Sequence, residues 1–311
     1  MEESTNVLTD EIMAALALHG IEPSQSQVER FAALLQERQM YALSDRSSLQ
    51  IRDGVDILRF IKEAKNAGDA DEAFWRAFLA AYFGRPSAHP NHSGEVESAG
   101  RFLCAFGDKP TWTWAHVSTQ DDAFRDQLSE RQADLDALHF GNHRKRRATH
   151  KPEKVAKVIK SFVQWVGRHG GSPSAAFTPQ QGSTPKRGFG ELYDRFVEVD
   201  DFNRTGCFDL LCLLRKMELL EIEPDSCHLV GSTGPLRGAA KLCGKDADKL
   251  TKREKQELNT FMDDLADHQG ISYAVMEDAL CHWQKEQMAS MLTIQPATSD
   301  CSNKIGSAVC S

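Results

Sequence analysis

The stretch Leu229–Leu242, LVGSTGPLRGAAKL, holds residue types whose order suits the binding of an anion. Gly231 and Gly234 tolerate backbone angles that side chains resist. Ser232 or Thr233 suits a helix cap, and Pro235 suits the first turn, where its missing N–H is not needed. Arg237 then falls beside the unbonded amides and the positive dipole end of that helix. A glycine-lined turn, a helix start and an arginine together form a seat for phosphate. An ordinary helix entry with a surface arginine fits the same residues. No Gly-Lys-Ser/Thr follows, which excludes a nucleotide-binding P-loop.

A second stretch is basic. After the turn Gly141-Asn142-His143, the residues Arg144, Lys145, Arg146, Arg147, Lys151, Lys154, Lys157 and Lys160 stand against Glu153 alone. Contact with a phosphate backbone needs such a local electropositive face, although charge runs are usually solvated helix faces. Asp209 falls in the first turn of an apolar helix, where it can cap the helix or face Arg204 or Arg237. Near the C-terminus, Glu277, Cys281 and Lys285 share a helix face, and Asp278 pairs with His282 at i, i+4. Site residues and exposed helix pairs both fit that pattern. His89 and His92 have no further ligand at metal spacing, so no metal site is expected.

Helices must position these groups, because nearly every periodic segment has helical spacing. Apolar stripes predict helices over Gln27–Tyr41, Gly54–Ala64 and Asp71–Phe83, the last aromatic-rich and suited to the core. The Pro, His, Ser and Gly content of Gly84–Gly100 predicts a loop. Further helices are expected over Asp121–Leu138, Leu192–Val199, Cys207–Leu220, Lys252–His268 and from Gly270 onward, with Tyr273, Met276, Leu280 and Trp283 as a buried stripe. Gly170–Gly190 reads as a linker between two lobes or a cover over a site. The organisation expected is an all-α, mostly single domain over 51–292, an N-terminal helical extension over 1–50, and a polar, disordered tail over 293–311.

The 311 residues carry a net charge of −8, with 41% hydrophobic and 26% charged residues. That is ordinary for a globular protein and excludes a general polyanion binder, so any nucleic-acid surface must be local. No apolar run is long enough for a bilayer and the acidic start is no signal peptide. The eight cysteines form no C-x-x-C pair and fit reduced thiols in a cytoplasm. No iron–sulfur spacing is present, and no cofactor is expected.

Several segments occur together in order: FWRAFLAAYFG at Phe74–Gly84, TWTW at Thr111–Trp114, GNHRK at Gly141–Lys145, FNRTGCFDLL at Phe202–Leu211, GSTGPLRGA at Gly231–Ala239 and MEDALCHWQK at Met276–Lys285. This set resembles the alpha-glutamyl/putrescinyl-thymine pyrophosphorylase family, over roughly Asp56–Lys285. The chain departs from the family pattern after GNHRK, where Arg146 and Arg147 stand in place of a Tyr and an acid. The resemblance implies a helical fold related to helix-hairpin-helix DNA glycosylases, and transfer of an amino acid or polyamine onto DNA. The resemblance further implies that a partner kinase places diphosphate on hydroxymethyluracil in DNA, and that the enzyme then joins an amine to the exocyclic methylene and releases diphosphate.

Such chemistry needs cations for the leaving diphosphate, a proton acceptor for the ammonium, and a pocket for an unstacked base. Arg144, Lys145, Arg204, Thr233, Gly234 and Arg237 are candidates for the diphosphate. His143, Asp209, Glu277 and Asp278 are candidates for moving protons or gripping the amine. Asn142, Arg146, Arg147 and Lys285 are candidates for DNA contact, and Trp112, Trp114 and Trp283 for stacking. Competing readings, in descending order, are a glycosylase or lyase using Asp200 or Asp201, a non-catalytic DNA-binding module, and a helical scaffold.

Overall fold

The computed structural model describes residues 2–44, 56–84, 93–119, 122–140 and 151–292. Every regular element among them is helical. The buried side chains form two cores, one from residues within 57–222 and one that joins residues within 8–35 to residues within 227–283.

The first core is built around α4 (Ala70–Phe83), which is buried on nearly every side. A helix apolar all round must be wrapped by others. Its neighbours are α3 (Ile57–Asn66), α5 (Ser93–Leu103), α6 (Trp114–Val117), α10 (Pro173–Ala176) and α12 (Arg204–Lys216). The helices α7 (Asp122–Glu130), α8 (Gln132–Asp136), α9 (Pro152–Arg168) and α11 (Pro185–Phe196) complete it. Phe78 of α4 stacks on Phe162 of α9 at 4.0 Å between ring centres. Trp75 Nε1 donates to the carbonyl of Trp112 at 2.8 Å, which ties TWTW to α4.

The second core packs α1 (Glu2–Leu18) and α2 (Gln25–Ser44) with α13 (Gly234–Leu242), α14 (Lys252–His268) and α15 (Tyr273–Leu292). Ile12 and Leu16 on α1 and the stripe Val28, Phe31, Leu35 on α2 are completely buried. Residues 1–50, expected as an extension, therefore supply α1 and α2 to the same core as the C-terminal helices.

Local chemistry sets the helix ends. Pro152, Pro173, Pro185 and Pro235 open α9, α10, α11 and α13, where proline loses no hydrogen bond. Asp56, Asp69, Ser172 and Thr184 accept amides as side-chain caps, and Thr251 with Glu254 forms a capping box on α14.

Three expectations are corrected. Part of the loop expected over Gly84–Gly100 is the start of α5, because Ala99, Phe102 and Leu103 recur at helical spacing and are buried, outweighing the glycine and serine content. The single helix expected over Asp121–Leu138 is two, interrupted at Arg131. The stretch 170–190 is not a linker: it carries α10 and the start of α11, and Phe177 and Phe189 are fully buried in the first core. The chain passes from the first core into the C-terminal part of the second in the segment around 222–229.

Candidate functional site

That crossing segment meets a buried arginine. Arg204 opens α12 in the first core, and its Nη1 donates to Glu277 Oε1 of α15 in the second core at 2.7 Å. Its Nη2 donates to the carbonyl of Cys227 at 2.6 Å, and its Nε donates to the carbonyl of His228. Both side chains of the ion pair are almost wholly buried. Inside a protein such a charge persists only when it is paired with an opposite charge and hydrogen-bonded. Arg204 also lies over the ring of Phe208, with its Cζ 4.7 Å from the centroid.

The segment is held equally firmly from α14. Asp263 Oδ1 accepts the Cys227 N–H at 2.7 Å, and Asn259 Oδ1 accepts the Leu229 N–H at 2.6 Å. Ser226 Oγ donates to Asp263 Oδ2 at 2.7 Å and accepts from the His228 amide at 3.1 Å. His228 sits at φ +48°, a left-handed conformation that a side chain disfavours.

The glycines of GSTGPLRGA serve close packing. Gly231, at φ +86°, passes over Arg204, and a Cβ there would lie 3.7 Å from the Arg204 Cβ. Gly234 faces Cys281 Sγ, and a Cβ at Gly238 would run into the carbonyl of Leu280. Gly234 and Gly238 are one turn apart on α13 and let it lie directly on the backbone of α15. The start of α13 is capped from within: Ser232 Oγ accepts the Leu236 amide at 3.1 Å and donates to the Leu229 carbonyl at 2.8 Å. Thr233 makes no side-chain cap bond and is exposed.

A second charged cluster lies one residue along α15. Asp278 is 3.5 Å from His282 Nδ1 and 4.0 Å from Arg38 of α2. Lys216, in the last turn of α12, feels the same carboxylate: burial pushes its ammonium down to about 8, against the opposing pull of Asp278.

The candidate residues are thus distributed unevenly. Arg204 and Glu277 are brought together, with Gly231 above them. Arg237 is half-exposed on α13 and pairs with Asp248 at 3.1 Å, also exposed; it does not share the interior position of Arg204. Asp209 is half-buried on α12 and Lys285 is exposed on α15. Trp112 is buried edge-to-face against Phe102 and Phe124, and Trp283 edge-to-face against Phe31, so neither indole offers an open face for a base. Trp114 is half-buried, its amide bonded to Glu72 Oε2 at 2.6 Å. Of the alternative acids, Asp200 pairs with Lys157 at 3.2 Å, and Asp201 sits at φ +61° in the turn before α12. Asn142, His143, Arg144, Lys145, Arg146 and Arg147, like His89 and His92, lie outside the described residues. Lys151, Lys154, Lys157 and Lys160 line the exposed face of α9, opposite Val155, Val158, Ile159 and Phe162.

Sequence reasoning missed Asp225, His228, Asn259, Asp263 and Lys216. The first two stand in the short DSCHL segment with a polar pair at i, i+3, a weak signal outside a helix. The others sit on helix stripes that read as ordinary.

Three of the recurring sequence segments therefore converge at one point: Arg204 of FNRTGCFDLL, Gly231 of GSTGPLRGA and Glu277 of MEDALCHWQK. The family model for alpha-glutamyl/putrescinyl thymine pyrophosphorylase clade 3 matches residues 21–292. The chain belongs to this family. For this pyrophosphorylase family member no curated protein and no solved structure gives a match. No described helix is long and apolar enough to cross a membrane.

Proposed function

We propose that this family member hypermodifies thymine-derived bases in DNA, joining an amino acid or polyamine to the exocyclic methylene of a diphosphate-bearing hydroxymethyluracil and releasing diphosphate. The observation that carries the reading is the convergence of Arg204, Gly231 and Glu277 from three family segments, at the junction of the two cores. Arg204 and Glu277 are positioning residues: they hold the crossing segment and the start of α13. Arg237, whose surface pairing with Asp248 is weak and exchangeable, takes the leaving diphosphate, joined by the cations at Arg144 and Lys145. Arg146, Arg147 and the lysine face of α9 contact the DNA backbone. A kinase acting on the base supplies the substrate.

The test is to incubate the protein with DNA containing 5-(diphosphooxymethyl)uracil and a panel of amines, digest the DNA, and weigh the nucleosides. The expected product has gained the amine and lost the diphosphate. Abasic sites in place of new nucleosides would show base excision instead. DNA binding that weakens with salt, without any product, would reduce the protein to a binding module. Arg237→Ala should remove product while changing stability by less than about 1 kcal/mol, the scale of an exposed pair; full activity in that variant would overturn its role.

A further inference from the structure

We infer that Asp225 and His228 form the proton-accepting dyad of this transfer, with His228 as the base for the incoming ammonium. The inference rests on the reading of function above. His228 Nε2 lies 2.8 Å from Asp225 Oδ1. A carboxylate at that distance holds the proton on Nε2 and leaves the Nδ1 lone pair to accept another. The imidazole stacks on Tyr193 of α11 at 4.0 Å between ring centres, which fixes its plane. The Asp225 carboxylate rests against Gly190 of α11, where a Cβ would lie 2.5 Å from Asp225 Oδ2.

The backbone under this dyad is disfavoured and heavily secured. A left-handed histidine is disfavoured and persists only where its surroundings determine it. Here Arg204, Asn259, Asp263 and Ser226 together bond the backbone of residues 227–229. A surface ion pair at i, i+3 needs none of these. The groups around His228 are Asp225 on its own segment, Tyr193 and Asp194 on α11, Arg204 on α12, Asp263 on α14 and, beyond Arg204, Glu277 on α15. Burial pushes the Tyr193 hydroxyl up to about 12, so it stays neutral beside the ring.

The step balances as follows. Nδ1 takes one proton from R–NH3+. The freed amine lone pair forms a C–N bond to the exocyclic methylene as the C–O bond breaks, and that electron pair leaves with the diphosphate. The product is a secondary ammonium, and the imidazolium returns its proton to solvent.

His228→Gly provides the test, because glycine adopts the left-handed backbone without strain and leaves room for a free base. With putrescine and DNA carrying 5-(diphosphooxymethyl)uracil, the single-turnover rate should fall about 100-fold, and added imidazole should restore it. Asp225→Asn should lower the rate and abolish the Nε2–H preference that nitrogen NMR of the wild-type imidazole should show. An unchanged rate in His228→Gly, or a loss that imidazole does not rescue, would overturn the dyad. A wild-type tautomer with the proton on Nδ1 would overturn it too. Absence of product from the wild-type protein with every amine would instead sink the transfer reading, while the NMR measurement still reports whether the pair is arranged as stated.

Discussion

Two buried arginine–glutamate pairs are found among the described residues, and they differ in reach. Glu72 and Arg76 lie one turn apart on α4, with Oε1 and Nε at 2.8 Å. Arg76 also donates to the carbonyl of Phe60, and Glu72 accepts the Trp114 amide. Everything this pair touches belongs to the first core. Arg204 and Glu277 are 73 residues apart, and their bond exists only once the first and second cores have met. The local pair stiffens one core; the distant pair registers whether the two are assembled, and fixes the segment that carries Asp225 and His228.

The largest expected effect breaks that distinction directly. Arg204→Met leaves Glu277 buried without its cation and should cost about 3–5 kcal/mol in urea unfolding. Adding Glu277→Leu should recover only part of the loss: both charges are then gone, but the carbonyls of Cys227 and His228 still lack the donor that Arg204 supplied. Arg76→Met is expected to be comparably severe, and Glu72→Leu should likewise recover only part of it, because the Phe60 carbonyl and the Trp114 amide then lack their partners. Hydrogen exchange should locate the damage at 227–229 in the first variant and near Trp114 in the second. Equal loss at both places in either variant would erase the contrast.

Next in size is Gly238→Ala. The new methyl group meets the Leu280 carbonyl, which is backbone and cannot swing away. Overpacking of this kind should cost about 1–3 kcal/mol. A neutral result would mean that α13 and α15 can separate freely.

A smaller effect sharpens the comparison through pH. Lys216 is held down to about 8 by burial, with Asp278 opposing. Between that value and the ordinary lysine range near 10.4 the unfolded chain binds more protons than the folded one, so stability rises with pH there. Below about 8 the folded state carries the full penalty of a buried ammonium. Lys216→Met should therefore raise Tm at pH 7 by a few degrees and flatten the rise between pH 8 and 10. A lower Tm at pH 7 would contradict the placement.

The smallest effect belongs to Lys186, which bridges the cores from outside. Its Nζ reaches Asp267 at 3.1 Å and the Tyr273 hydroxyl at 3.3 Å, and the pairing is exposed. Lys186→Met should change stability by less than about 1 kcal/mol, and by less still at high salt. A loss as large as that of Arg204→Met would show that exposed contacts, not the buried pair, join the cores.

Much of this architecture was legible from spacing alone. Val28, Phe31 and Leu35 on α2, and Met276, Leu280 and Trp283 on α15, announce their buried faces by period. The start of α5 was hidden because serine and glycine mask a stripe that only Ala99, Phe102 and Leu103 reveal. The site was less legible. Glycines at Gly231 and Gly234 suggest a phosphate seat by type, yet their nearest neighbours are the Arg204 Cβ and the Cys281 Sγ. No local pattern announces a partner 73 residues away, and none marks His228 as left-handed, since that angle is imposed by Arg204 and α14.

The second core draws on both ends of the described chain, and that has a consequence for biosynthesis. Leu8, Ile12, Leu16 and Phe31 leave the ribosome well before Trp283 and its neighbours, which cover them. Residues 57–222 hold all the described side chains of the first core and can pack while translation continues. The amphipathic pair α1–α2 must meanwhile wait with its greasy stripe uncovered, which makes the nascent chain a natural client for chaperones that shield such surfaces.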